Sequence, residues 1–95
     1  MSFRWLEMDG SGDVYSGEKI ILKSTSSFSV GIPTSPATGD MISFMDGAGL
    51  CGTNNITISR NGNKIMGLEE DLVVDSNGAT FDLIYKDSSK GWVLR

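Results

Sequence analysis

Short apolar runs separated by turn-forming residues constrain the possible folds of this chain more than any other sequence feature. The chain has 12 glycines but only 2 prolines, and its Gly, Asn, Asp and Ser residues cluster between runs in which apolar and polar residues alternate. A period of two is typical of strands with one buried face, whereas an amphipathic helix needs apolar residues three and four apart. No window has convincing helical periodicity. The sequence therefore predicts an all-β fold.

Several of these runs define candidate strands in the first half of the chain. The stretch "EKIILKS" reads as a strand over residues 19–23, and "SFSVGIP" alternates apolar with small residues until its proline ends the run. In "MISFM", Ile42 and Phe44 face one way while Met41 and Met45 face the other. The two methionines are predicted either to be covered by other parts of the chain or to lie in a subunit interface, where methionine is enriched.

The stretch "ITISRNGNKI" carries the clearest local hairpin signal. Asn61 and Gly62 are the preferred pair for a two-residue type I′ turn. Such a turn sets Ile58 directly opposite Ile65, so the register implied by the turn agrees with the apolar pattern. We expect a hairpin at this position.

The C-terminal stretch predicts a second hairpin, in which "ATFDLIYK" is followed by a loop "DSSK" and the strand "GWVL". A four-residue loop would give one aromatic, one aliphatic and one opposite-charge pair in a single register. The predicted pairs are Lys86 with Gly91, Tyr85 with Trp92, Leu83 with Leu94, and Asp82 with Arg95.

Together these runs indicate seven or eight short antiparallel strands in a small β-sandwich or barrel-like domain. The same alternation would also suit an intertwined trimer. Residues 1–18 are interpreted as an N-terminal arm or edge segment, and residues 19–95 as the β-domain.

The size of the chain limits how it can be stabilised. A domain of 95 residues has a thin core, and small domains often depend on disulfides, metals or self-association. One cysteine excludes an intramolecular disulfide, and the lack of histidine removes the commonest zinc ligand. We therefore expect no metal and no cofactor, and self-association remains.

Charge and hydropathy argue against nucleic acid and membrane partners. The net charge is −4 and there is no block of lysine or arginine, so little phosphate counterion release is available. No apolar stretch approaches the length of a membrane helix. A single free cysteine suits synthesis in the cytosol.

The loop "GAGLCG", residues 47–52, spells a dinucleotide fingerprint but lacks its context. That fingerprint needs a helix whose first amides hold the pyrophosphate, and here the β-prone "TNNITISRNG" follows. Cys51 has no histidine to activate it, and the loop "DGSGD" lacks the glycine and glutamate of a calcium loop. We expect no catalytic residue and no enzyme.

The N-terminal segment "MSFRWLEM" is a candidate for attachment. Phe3 and Trp5 alternate with polar neighbours, and Leu6 follows directly. Such a segment could add an edge strand or dock into a partner protein. Phe3, Trp5, Leu6, Met41 and Met45 are therefore the predicted partner-binding residues.

Three stretches resemble, in order, a β-module of tailed-bacteriophage structural proteins found in tail fibres, necks and baseplates. They are "SSFSVGIPTSPATGDMISFMD", "TNNITISRNGNKIMGLEEDLVVD" and "GATFDLIYKDSSKGWVL". The resemblance implies a non-enzymatic virion protein that is assembled in the host cytoplasm. It also implies a homotrimer in which neighbouring chains cover each other's apolar faces, and contacts with other virion proteins.

Two alternatives to a fibre, tail or neck component remain within this resemblance. One is a capsid decoration or cement protein. The other is a module at a fibre tip that binds a host receptor or glycan, in which Tyr15, Trp92 and the loop at Asn54 and Asn55 would contact sugar.

Overall fold

The computed structural model describes residues 4–95, which form nine short strands and no helix. Alternating apolar residues form these strands because every second side chain can then be buried on one face. The strands are β1 (Leu6–Met8), β2 (Gly12–Asp13), β3 (Lys19–Leu22), β4 (Phe28–Gly31), β5 (Met41–Asp46), β6 (Ile56–Ser59), β7 (Leu72–Val74), β8 (Thr80–Asp87) and β9 (Gly91–Leu94). The predicted all-β class is confirmed.

The strands form two mixed sheets, and the predicted purely antiparallel pairing is wrong. The five-stranded sheet has the order β1-β3-β5-β8-β9, and the four-stranded sheet has the order β2-β4-β6-β7. The first six strands pair with one another only in parallel. Antiparallel pairing appears where β7, β8 and β9 join.

The parallel pairing follows from the path of the chain. From β1 to β6 each strand lies in the opposite sheet from the one before it. Between two neighbouring strands of one sheet the chain passes through a strand of the other sheet and returns, so the two neighbours run in the same direction. Sequence alternation does not reveal this, because parallel and antiparallel strands both present every second side chain to the core.

The core lies between the two sheets, and the predicted alternation is confirmed there. Phe28, Val30 and Ile32 are buried, as are Ile42 and Phe44. Other fully buried large side chains come from both sheets: Leu22, Ile56, Ile58, Leu83 and Trp92.

The Asn61-Gly62 turn forms, but its predicted hairpin does not. Both residues have positive φ, 49° and 88°, and the Asn63 amide donates to the Arg60 carbonyl at 3.2 Å. Strand β6 then pairs with β7, so that Ile58 lies opposite Leu72 rather than opposite Ile65. Ile65 instead bridges to Trp92 at the edge of the other sheet, where the Met66 amide donates to the Trp92 carbonyl at 2.7 Å.

The predicted C-terminal hairpin is confirmed except at its loop. Tyr85 lies opposite Trp92, and Leu83 lies opposite Leu94. Gly91 faces Asp87 instead of Lys86, with a bulge between Tyr85 and Asp87. The Asp87 carboxylate closes this loop, since its Oδ1 accepts from the Ser89 and Lys90 amides at 3.0 and 2.8 Å.

Candidate docking surfaces

The N-terminal segment supplies the first strand of each sheet. Strand β1 is the edge of the five-stranded sheet and β2 is the edge of the four-stranded sheet. Only residues 9–11 separate them, so the two edges lie at the same end of the stack. We call this pair of edges the open end, because neither strand has a further neighbour among residues 4–95.

Of the predicted attachment residues, two lie at the open end and one cannot be placed. Phe3 lies outside the described residues. Trp5 is half-buried, and Leu6 is 40% exposed. The β1–β3–β5 register puts Leu6 in the same core-facing row as Ile20 and Phe44. Leu6 is thus a core-facing side chain that lacks cover on one side.

Met41 and Met45 lie on the opposite face of the same sheet. Met45 pairs with Ile21 and Thr80, while Met41 pairs with Ile84 at the far end of β5. The structure therefore places the two methionines on the outer face of the sheet, away from the core-facing row that contains Leu6.

Polar side chains separate the two methionines on this outer face. The Ser43 hydroxyl donates to Asp82 at 2.6 Å, and the Arg95 guanidinium pairs with Asp82 at 3.0 Å. These two contacts hold the pKa of Asp82 below its usual range, with the Ser43 hydrogen bond as the larger cause. The outer face is therefore not one continuous apolar patch.

The glycine loop binds a carboxylate of its own chain. Asp46 Oδ1 accepts from the Ser24 hydroxyl at 2.5 Å and from the Gly49 amide at 3.0 Å. Its Oδ2 accepts from the Cys51 amide at 3.0 Å and from the Gly78 amide at 2.9 Å. Two amides of this loop, those of Gly49 and Cys51, are thus already used by Asp46.

The pKa values of Asp46 and Cys51 are those expected of buried groups with a structural role. Burial alone raises the pKa of Asp46, but the hydrogen bonds from Ser24, Cys51 and Gly78 outweigh it and hold the pKa far below its usual range. Burial also raises the pKa of the Cys51 thiol to about 11. The thiol is fully buried, which disfavours a nucleophilic role.

A surface that the sequence reasoning missed lies along β7 and β9. Of the eight exposed large hydrophobic side chains in residues 4–95, four lie in or beside these strands: Met66, Leu68, Val73 and Leu94. A cleft of about 150 Å³ is lined mainly by β7 and the residues after it, with Ala79, Phe81 and Leu94 opposite. A second cleft of about 200 Å³ adjoins it at Leu72.

A smaller pocket of about 140 Å³, lined by both polar and apolar residues, lies between β2, β4 and the Asn61-Gly62 turn. Tyr15, which is 65% exposed, lines it together with Asp13 and Asn61. Gly31 also lines the pocket, and a Cβ there would lie 2.3 Å from Asp13 Oδ1 and 3.0 Å from Asn61 Nδ2. Trp92, predicted to contact sugar, is fully buried and is not available for that role.

Within residues 4–95, no group of three or more His, Cys, Asp or Glu side chains is arranged to hold a metal ion. The same part of the chain contains no helix that could span a membrane.

Comparison with known proteins adds a likeness of fold. No family model and no curated protein matches the chain. A solved structure described as "Structure of a chaperone-substrate complex" is similar over 92% of this chain, with a TM-score of 0.58 and 21% identity. The match spans only 14% of that other chain. At this identity the likeness shows only that this chain shares a fold with the matched part of that chain.

Proposed function

We propose that this chain is a non-enzymatic structural module of a bacteriophage virion, which binds other protein chains through the open end. The observation that carries the docking role is Leu6, which occupies a core-facing position on β1 but is 40% exposed. An unpaired edge beside an uncovered apolar side chain favours the addition of a further strand. The virion setting is supported by the sequence resemblance.

We further propose that the module self-associates as a homotrimer within a fibre, tail or neck component. The thin core of a small domain and the half-buried Trp5 beside β1 support association at this end. In this arrangement Leu6 and Trp5 are covered by a neighbouring copy, while Met41 and Met45 lie on a separate face that remains open to other virion proteins.

Light scattering of the purified chain tests the self-association. We expect a mass near three protomers, and Leu6→Lys should shift it to one protomer without changing the circular dichroism spectrum. Val73→Lys is the matched control, because Val73 is exposed on an edge strand distant from β1. A wild-type mass of one protomer at every concentration would contradict the homotrimer, and an unchanged mass for Leu6→Lys would contradict the role of the open end.

A second candidate function is binding of a host-surface glycan at the Tyr15 pocket. An exposed aromatic ring beside a carboxylate and an amide suits a sugar, since the ring covers its C–H face while the polar groups bind hydroxyls. Tyr15, Asp13 and Asn61 provide this combination. Saturation-transfer NMR with galactose and N-acetylglucosamine should show contact in the wild type but not in Tyr15→Ala. No transfer to either sugar would count against this candidate.

A further inference from the structure

The two sheets differ by one strand, and the difference lies at the β7 edge. Beyond β5 the five-stranded sheet continues with β8 and β9, whereas beyond β6 the four-stranded sheet has only β7. Among residues 4–95, no strand pairs with the side of β7 that faces away from β6. An unpaired edge of this kind is a template for strand addition.

A partly apolar cleft lies beside β7, where the additional strand would run. Leu72 and Val74 point inward from β7, because they pair with the buried Ile58 and Ile56. They line the 150 Å³ cleft, and its opposite side includes Leu94, which is 37% exposed. A strand beside β7 would therefore place its own inward side chains over this cleft.

Two copies of β7 are poorly suited to pair with each other. In an antiparallel pairing centred on Val73, Asp71 of one copy would lie opposite Asp75 of the other. Like charges directly opposite are destabilising, and charges at an edge are a common protection against self-association. Glu69 and Glu70, both exposed, add further negative charge just before β7 in the chain. The occupant is thus expected to carry the opposite charge.

We propose that the β7 edge binds an extended segment of another protein, apolar in its middle and flanked by basic residues, as an added antiparallel strand. Asp71, Val73 and Asp75 are exposed and alternate with the inward Leu72 and Val74. The two carboxylates are four residues apart, about 13 Å along a strand. Basic residues at the same spacing would face them while two apolar residues fill the cleft. This surface is separate from the open end, so the two proposals stand or fall independently.

A designed heptapeptide, acetylated and amidated, serves as the probe: Gly-Lys-Val-Thr-Val-Lys-Gly. In antiparallel register its lysines lie opposite Asp71 and Asp75, its valines opposite Leu72 and Val74, and its threonine opposite Val73. The comparison peptide replaces both lysines with glutamate. Titration of the ¹⁵N-labelled full chain to about 1 mM peptide should shift amide resonances of β7, Phe81 and Leu94, and the affinity should fall with added salt.

Charge reversal at one flank provides the second measurement. Asp75→Lys should weaken the lysine peptide about fivefold and strengthen the glutamate peptide by a similar factor. Asp75 is preferred to Asp71, whose Oδ1 accepts from the Arg60 amide at 2.9 Å. Asp9→Lys is the matched control, since Asp9 is exposed in the β1–β2 connection and changes the net charge equally.

The comparison of the two peptides on wild-type protein needs no variant to fold. Shifts confined to β7 and the cleft, with the lysine peptide bound more tightly, would support the proposal. Absence of shifts, equal affinity for both peptides, or shifts that map to β1 would overturn it. An Asp75→Lys protein that is folded and binds the lysine peptide as tightly as Asp9→Lys does would overturn it as well.

Discussion

Replacing Asp46 with asparagine should destabilise the protein, although the two side chains have nearly the same shape. The carboxylate accepts four hydrogen bonds, from the Ser24 hydroxyl and from the amides of Gly49, Cys51 and Gly78. An asparagine side chain has one oxygen. In its better orientation the NH₂ group replaces Oδ1, where the Ser24 hydroxyl can turn to accept from it but the Gly49 amide loses its acceptor.

The size of the effect follows from that one unpaired donor. A buried donor without a partner costs about 1–3 kcal/mol, so Asp46→Asn should lower the free energy of unfolding by about 1–3 kcal/mol. The total for a domain of this size is about 5–15 kcal/mol. At about 4–8 °C per kcal/mol, Tm should fall by at least about 4 °C.

Urea denaturation followed by circular dichroism measures this loss, with Asp75→Asn as the matched control. Asp75 is exposed in the segment that follows β7, and surface substitutions of this kind usually change the free energy of unfolding by less than about 0.5 kcal/mol. If Asp46→Asn unfolds at the same urea concentration as Asp75→Asn, the Asp46 carboxylate does not anchor the glycine loop.

Three other predictions concern pH, backbone geometry and the thiol. The pKa of Asp46 is lowered in the folded state, so its contribution to stability is complete above the unfolded pKa of about 3.9 and is lost as pH falls toward the folded pKa. Urea midpoints between about pH 5 and pH 2 should therefore fall more steeply for the wild type than for Asp46→Asn. Gly91→Ala should prevent formation of the Lys64–Trp92 contact, since its Cβ would lie 1.9 Å from the Lys64 carbonyl oxygen. In the control Gly39→Ala, the glycine has positive φ but a Cβ would meet nothing within 4 Å, so the free energy of unfolding should fall by only about 1–2 kcal/mol. Equal Tm values for the two variants would contradict this prediction. The Cys51 thiol is buried and has a pKa of about 11, so in the native protein it should react with iodoacetamide far more slowly than free cysteine does, because only opened molecules expose it. Labelling of the native protein as rapid as that of free cysteine would be inconsistent with this burial.

Local interactions account for the predictions that the structure confirms. Leu83 and Tyr85 meet Leu94 and Trp92 because a short loop brings adjacent strands together. The Tyr85 and Trp92 rings lie 5.5 Å apart in an edge-to-face arrangement, as the aromatic pairing suggested. In such a hairpin, sequence neighbours are also spatial neighbours, so the side-chain pattern is sufficient to give the register.

The failed hairpin at Asn61 and Gly62 shows the limit of the same reasoning. A two-residue turn sets the direction of the chain only for the residues beside it. Ile65 is drawn to the other sheet, where the Trp92 amide donates to the Lys64 carbonyl at 2.8 Å and Ile65 is buried. Those contacts come from residues distant in sequence, and the local pattern of "ITISRNGNKI" contains no sign of them.

Of the candidate docking surfaces, one could be predicted from the sequence and the other could not. The N-terminal segment could be singled out from "MSFRWLEM", because aromatic and aliphatic residues stand out there without a long strand to bury them. The β7 edge could not, since "DLVV" reads like any other strand until the sheet order shows that nothing pairs with its outer side. The role of Asp46 was also hidden, because its four donors come from three separate segments of the chain.

The sequence by itself determined that this chain is all-β, which side chains face the core, and how the last two strands pair. Those properties depend on a period of two and on short loops, both of which are local. Only the tertiary structure decided that the first six strands run parallel in two sheets, that Asp46 fills the glycine loop, and that β1, β2 and β7 are left as edges. Each of these depends on which distant segments come together, and a strand presents the same alternation whatever its neighbour.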